Sequence, residues 1–240
     1  MSNGIRFALQ GRLGNQMFGL SDAFRLHKYT QDSVEVFINS ESMHQLPSAW
    51  IEFLEMQSWA TIRSIKSECE LMYWNPVDSA SLTKKMLESG IRSFRGFTPS
   101  YRNLIESGLF KEGIFPFQKQ EDRANEPYTA VSIRAEDYYR NPHLGVLPRR
   151  YYRIALKVLD DLKVDHKLFV TGVSSQKEIE NFLPRKFHER ILFIGKQDSP
   201  ILDLYSLSKA DSSIIANSTF SYLGSFFSKS KEIIMPKPFY

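Results

Sequence analysis

From Thr129 onward, short β-type runs alternate with stretches of helical period, and few architectures accommodate that rhythm. The runs are residues 129–134, 167–171, 190–194, 213–216 and 231–235, with Gly172, Gly195 and Pro236 following three of them. Between them, Tyr151, Ala155, Leu159 and Leu162 recur at helical spacing as a core-facing stripe. A second helix carries Ile179, Phe182 and Leu183, with Ser174 or Ser175 as its cap and Pro184 as its stop. A third runs through Ile201, Leu204, Tyr205 and Leu207, and a segment from Ser218 to Phe227 follows the fourth β run. Strands that alternate with helices pair in parallel, covered by helices on both faces. Such sheets take ligands at the carboxyl ends of their strands.

The first half is less regular. Residues 5–9 read as a strand, 11–14 as a turn, and Met17, Leu20, Phe24 and His27 as one face of a helix. Residues 34–38 form another strand. Residues 41–125 hold helical patterns and a Gly/Phe/Pro segment near 96–99, but no order of elements emerges. The polar run 118–127 is the best linker. The expected architecture is α/β: two Rossmann-like lobes facing a cleft, residues 1–125 and 126–240, the later one a parallel doubly wound sheet.

Composition narrows the class further. With 42% hydrophobic and 13% aromatic residues, the chain of 240 can bury a core and is not disordered. A net charge of +4 suits an anionic small molecule or a membrane surface and does not argue for nucleic acid. Cys69 is the sole cysteine, so no intramolecular disulfide forms, and a reducing cytoplasmic setting is expected. The N-terminus lacks the pattern of a secretory signal, and no apolar run approaches the ~18 residues that span a bilayer. A lipid-linked substrate would therefore be met peripherally, at the inner face of a membrane.

Three constellations carry chemistry, each at a strand-to-helix junction. In 11–18 (GRLGNQMF), Gly11 and Gly14 permit tight turning, and a helix start favours an anion. Asn15 either caps that helix or presents its amide to a substrate. The spacing is neither GxGxxG nor GxxxxGK[ST], which removes dinucleotide and Walker-type readings. In 132–138 (SIRAEDY), a strand ends in Arg134, Glu136 and Asp137, where apolar residues would be cheaper. Arg134 either clamps a diphosphate with paired N–H donors or forms a structural ion pair with Glu136 or Asp137. In 216–222 (ANSTFSY), Asn217 and Ser218 either cap a helix or line a phosphate site. No DxD occurs, so a metal-dependent nucleotide-sugar reaction lacks its usual carboxylates. HExxH and GxSxG are absent too, against zinc and hydrolase chemistry.

At these motifs the sequence resembles glycosyltransferase family 11, the α-1,2-fucosyltransferases. GRLGNQMFG at 11–19 is similar to the family's GGLGNQMFQ opening, and SIRAEDY at 132–138 to its HxRRGDY motif. NSTFSYLGSFF at 217–227 is similar to its NSSFSWWGAWL segment, followed by a proline-ended strand at 233–236. The opening also resembles the GRFGNQ turn of protein O-fucosyltransferases, with an arginine at Arg12. Order and separation agree across nearly the whole chain.

The resemblance implies a GT-B fold and inverting transfer of fucose from GDP-fucose to a glycan or lipid-linked oligosaccharide hydroxyl, with no metal and no other cofactor. It implies an acceptor-side first lobe and a donor-binding second lobe. Arg134 matches the arginine that holds the donor's β-phosphate. Asn15 and Arg12, with Gly11 and Gly14, match the turn that positions phosphate and acceptor. Asn217, Ser218, Thr219, Phe220 and Ser221 match the donor-side loop. Asp137 matches the motif aspartate, and Ser132 stands where the family has a histidine that helps hold guanine. Ala135 and Glu136 stand for arginine and glycine, and Tyr222-Leu223 for a tryptophan pair. The acceptor proton passes to Asp137, to Glu136 or to the departing phosphate. Two other readings stay open: a transferase of this fold using another nucleotide-sugar, and a non-catalytic sugar-nucleotide or glycan-binding relative.

Overall fold

The structure is a computed structural model that describes residues 4–39, 46–65, 74–77, 80–117, 126–135, 145–162, 164–173, 175–193 and 199–237. The chain divides into two compact units, residues 1–112 with 116–118, and residues 113–115 with 119–240. Most of the expected linker, 118–125, lies outside the described residues.

The first unit contains β1 (Ile5–Ala8), α1 (Leu13–Thr30), β2 (Val34–Asn39), α2 (Ser48–Glu55) and β3 (Ala60–Ile65). It continues with β4 (Asn75–Pro76), α3 (Ala80–Glu88), β5 (Ser93–Arg95) and α4 (Tyr101–Ser107). Its sheet is five-stranded, in the order β3-β2-β1-β5-β4, and every pairing is parallel. Helix α1 packs tightly on it because Gly19 brings backbone to backbone: a Cβ there would lie 2.8 Å from the Gly96 carbonyl oxygen. The Gly96 N–H in turn donates to the Ala8 carbonyl, joining the ends of β1 and β5. Met17 and Leu20 are buried as expected, whereas Phe24 and His27 are half-buried and stack on each other, with Trp59 stacked on His27 and tilted against Phe24.

On the same helix, Asp22 is buried and accepts the Thr98 N–H at 2.7 Å, with Arg25 3.5 Å away. Burial dominates and pushes its carboxyl up to about 6, against the pull of Thr98 and Arg25. Between roughly pH 4 and 6 the native chain keeps a proton that the unfolded chain has lost. The stability linked to Asp22 is therefore complete below that window and lost above it, a swing of about 3 kcal/mol. Urea unfolding of the wild type minus that of Asp22→Asn should show this fall; parallel profiles would refute it.

The second unit contains β6 (Tyr128–Ser132), α5 (Arg149–Asp161), β7 (Lys167–Thr171), α6 (Gln176–Phe182), β8 (Ile191–Phe193), α7 (Pro200–Lys209), β9 (Ser212–Ile214), α8 (Thr219–Phe226) and β10 (Glu232–Ile234). Its sheet is also wholly parallel, in the order β10-β9-β6-β7-β8. The expected strand-helix alternation is therefore present, with strands trimmed by a residue or two. Of the two expected caps, Ser175 is the one that accepts from the backbone, from Glu178 at 3.2 Å; residue 174 lies outside the described residues.

One expected stripe is corrected. On α5, Tyr152, Ala155, Leu156 and Leu159 face the core, and Leu162 lies past the helix end, exposed. The burial centre is thus turned one residue from the expected series, because Tyr152 packs edge-on against Phe182 inside the cluster of Val131, Leu168 and Ile179. The opposite face of the sheet is covered by α7 and α8, where Gly224 lets the two helices close: a Cβ would meet that of Leu207 at 2.5 Å. Among the described residues, no helix is long and apolar enough to cross a membrane.

Candidate functional site

Chain order explains where a ligand belongs on the second unit's sheet. From β6 the chain steps outward through β7 to β8, then returns to the other side of β6 as β9 and continues to β10. The reversal falls between β6 and β9, and the crevice beyond such a reversal is where open α/β sheets hold ligands. Register puts Val131 beside Ile214, so the residues that follow, 132–135 and 215–218, emerge side by side at the carboxyl edge. Arg134 and Asn217 are each three residues beyond that pair. Both are half-buried, and Arg134 Nε and Asn217 Oδ1 are withdrawn from solvent.

The hydroxyls between them form a buried chain. Ser132 Oγ lies 2.6 Å from Ser221 Oγ, which lies 2.7 Å from Ser218 Oγ. Ser218 Oγ also accepts the Ser221 N–H at 3.1 Å, so Ser218 is the N-cap of α8. Strand β6 is thereby fastened to the start of α8. Thr219 is buried, and Phe220 packs against the cluster containing Tyr128, Phe169 and Leu207. Of the expected donor-binding residues, Ser132 is joined directly to Ser221, and Ser221 to Ser218, of the donor-side loop, whereas Phe220 serves the core.

Two adjacent tyrosines brace the same edge, in roles that residue type alone did not suggest. Tyr152 O–H donates to the Ser132 carbonyl at 3.3 Å. Tyr151 O–H lies 2.7 Å from the Ile215 carbonyl and 3.1 Å from that of Ile234, at the ends of β9 and β10. Burial holds the Tyr151 hydroxyl in its neutral, donating form well beyond neutral pH. Asn217 Nδ2 donates to the Gly145 carbonyl at 3.1 Å, tying the loop after β9 to the residues that lead into α5. The sequence signal available was the Tyr-Tyr pair opening a helix that follows a motif-bearing strand.

A further brace comes from Gly172, whose φ is +81°. The Ile133 N–H donates to the Thr171 carbonyl at 2.9 Å, and a Cβ on Gly172 would lie 2.1 Å from the Ile133 carbonyl oxygen. The backbone just before Arg134 is therefore held against bare glycine backbone. Glu136 and Asp137, the two carboxylate candidates, lie outside the described residues.

In the first unit, the opening motif follows β1, beside the equivalent reversal between β1 and β5. Gly11 has φ +74°, and a Cβ there would lie 2.5 Å from Asn15 Nδ2. Its carbonyl accepts from Gln16 Nε2 at 2.9 Å, and Gln16 Oε1 accepts from buried Trp50 Nε1 at 2.9 Å. The turn is thus locked from beneath by Gln16, a residue the motif reading passed over. Two details are corrected. The N-cap of α1 is exposed Arg12, with no side-chain cap bond, so Asn15 lies inside the first turn and is not the cap. Gly14 is a buried helical residue, and the left-handed turn is made by Gly11 alone of the two. The cause is the early helix start at Leu13, which the arginine's extended backbone permits.

No family model matches the chain. It is 29% identical over 118 residues to the O-antigen biosynthesis glycosyltransferase WbnK of Escherichia coli, a match covering 48% of this chain and 39% of that protein. The chain thus spans well under half the length of this curated relative. Among solved structures, the chain is similar to the fucosyltransferase NodZ from Bradyrhizobium, with TM-score 0.50 and 9% identity over 95% of this chain and 94% of that one. The E. coli ADP-heptose LPS heptosyltransferase II aligns over 97% of this chain and 90% of that one, at 12% identity and TM-score 0.45. The fold is accordingly of the GT-B type: two α/β lobes, each built on a parallel sheet.

Proposed function

We propose that the chain is a glycosyltransferase using a nucleotide-sugar donor, with GDP-fucose the first candidate and a glycan hydroxyl as acceptor. The observation that carries this reading is the position of Arg134, two residues beyond β6 and beside the reversal at β9. A guanidinium there presents a planar fork of N–H donors suited to a diphosphate. The neighbouring start of α8 adds backbone donors of the same sign. The relation to WbnK and the resemblance to the α-1,2-fucosyltransferases support the same class.

In this reading, breaking the sugar–phosphate bond leaves negative charge on the diphosphate, which Arg134 and the α8 start stabilise without a metal. The displacement inverts the anomeric carbon, because the acceptor oxygen attacks opposite the departing phosphate. The acceptor proton goes to Asp137 or Glu136, or to the departing phosphate. Gly11 and Arg12 form the turn that positions phosphate and acceptor, with Gly11 fixing the backbone and Gly14 and Asn15 following in the first turn of α1, where Asn15 offers its amide.

A second reading, a different donor base, is favoured by one specific observation. Ser132 is where the resemblance expects a guanine-holding histidine, yet its hydroxyl is buried and bonded to Ser221. A thermal-shift panel of GDP, UDP, ADP and dTDP, run with EDTA, separates the two. Stabilisation by GDP alone is expected. A shift with another nucleotide alone would transfer the assignment to that donor, and no shift with any would remove nucleotide-sugar chemistry.

A further inference from the structure

Helix α5 has an outward face that the transfer reading does not use. Arg149, Arg150 and Arg153, with Pro184, line a cavity of about 350 Å³ at the beginning of the helix. All three arginines are exposed. The same helix also exposes large apolar side chains four residues apart, Ile154 and Val158 at 50% and 41%, with Leu162 just past its end at 51%. Lys157 is exposed between them. The acidic residues of the element do not oppose this end. Asp160 is engaged by Lys186 at 2.8 Å and Arg190 at 3.2 Å, and Asp161 sits at the far terminus, two turns from the arginine cavity.

Each half of this pattern has an ordinary meaning alone. Exposed arginines keep a surface soluble, and a lone exposed isoleucine is unremarkable. Together on one helix they put three exposed arginines beside an apolar ridge. A soluble anion would use the arginines and leave the ridge in water. An anionic bilayer uses both, since phosphate headgroups meet the exposed arginines while aliphatic side chains enter the boundary of the acyl region. Arginine and lysine stems also cover apolar surface while their charged ends stay at headgroup level.

We propose that the exposed face of α5 is a docking surface for an anionic phospholipid membrane. The headgroup phosphate is held by Arg149, Arg150 and Arg153, and Ile154 and Val158 are inserted at the interface. This assignment is independent of the transfer chemistry, because none of these residues belongs to the diphosphate site.

The test is co-sedimentation of the full chain with vesicles of phosphatidylglycerol mixed into phosphatidylcholine, against pure phosphatidylcholine. The expected result is binding that requires the anionic lipid and is lost in 0.5 M salt, where screening lengths shrink to a few ångströms. Arg150→Gln with Arg153→Gln should weaken partitioning on the order of 30-fold at unchanged thermal midpoint. Ile154→Ser with Val158→Ser should weaken it too while leaving its salt dependence intact. Equal sedimentation with neutral vesicles, or no sedimentation with either, would overturn the proposal. So would a thermal shift with inorganic phosphate alongside no vesicle binding, since the cavity would then serve a soluble anion. Vesicle binding that both double variants retain would place the contact elsewhere and equally overturn it.

Discussion

Arg134→Ala should lower sugar transfer by about 100-fold or more, the loss typical when one donor to a developing oxyanion is removed. The change should appear in kcat as well as in kcat/KM, because charge on the diphosphate grows as the glycosidic bond breaks. The fold should persist. Arg134 follows the last residues of β6 that pair with β7, and its neighbours Ile133 and Ala135 supply the buried contacts of that segment. A thermal midpoint within a few degrees of wild type is therefore expected. Arg134→Lys separates charge from geometry. An ammonium keeps the charge and loses the fork, so activity should stay at least about ten-fold below wild type. A folded Arg134→Ala protein with near wild-type turnover would remove the diphosphate assignment altogether.

Gly172→Ala should be the most destabilising single-methyl change in the second unit, by more than about 3 kcal/mol in urea unfolding. Two effects add. At φ +81° an L-residue pays roughly 1–2 kcal/mol for its left-handed backbone. In addition, the new Cβ would lie 2.1 Å from the Ile133 carbonyl oxygen, and backbone cannot rotate away as a side-chain tip can. Either β7's exit or β6's extension has to shift. Because Ile133 directly precedes Arg134, any protein that still folds should bind nucleoside diphosphate more weakly than wild type. Gly90→Ala is the natural control, with φ +84° but no atom within 4 Å of its would-be Cβ, so it should show only the backbone penalty. If the two variants were equally stable, the close approach at Ile133 would be wrong.

The contrast between the halves of the chain shows what a sequence pattern can carry. In the second unit, β6 and β7 are central or next to the centre and buried, so they read as short runs with little charge, whereas β9 begins with two buried serines and is marked by the apolar residues Ile214, Ile215 and Ala216 that end and follow it. The first unit shows β1 and β2 in its sequence and hides β3, β4 and β5 for physical reasons. Edge strand β3 alternates between exposed and partly covered positions, so Thr61, Arg63 and Ser64 break any apolar run. Strand β4 is two residues long and contains Pro76, tolerable only because it lies at the opposite edge. Strand β5 has three residues with Phe94 alone buried, yet it sits beside β1 and completes the reversal. Short length erases periodicity at the very strand that sets the topology.

The candidate site was legible in its residues but not in its braces. Gly11, Arg134, Asn217 and Ser218 stand out because glycine, charge and small polar groups at strand ends are locally expensive choices. The Ser132–Ser221–Ser218 chain, the reach of Tyr151 to two strand ends and the Gln16–Trp50 support under the opening turn all depend on which elements become neighbours. Contacts separated by 89 residues, as between Ser132 and Ser221, leave no local trace. The helical stripe on α5 is met at Ala155 and Leu159 and shifts at its ends for a related reason: Tyr151 and Tyr152 are alike by type, and Tyr152 is the one buried against Phe182 while Tyr151 is half-buried beside the same cluster.

In the proposed reaction, Arg134 holds the diphosphate of a nucleotide-sugar on the second lobe. Calorimetric titration of GDP into the wild-type chain and into Arg134→Ala, both in EDTA, tests that most directly. Saturable binding by wild type that weakens at least ten-fold in the variant is the predicted outcome. Equal affinities in the two proteins would contradict it.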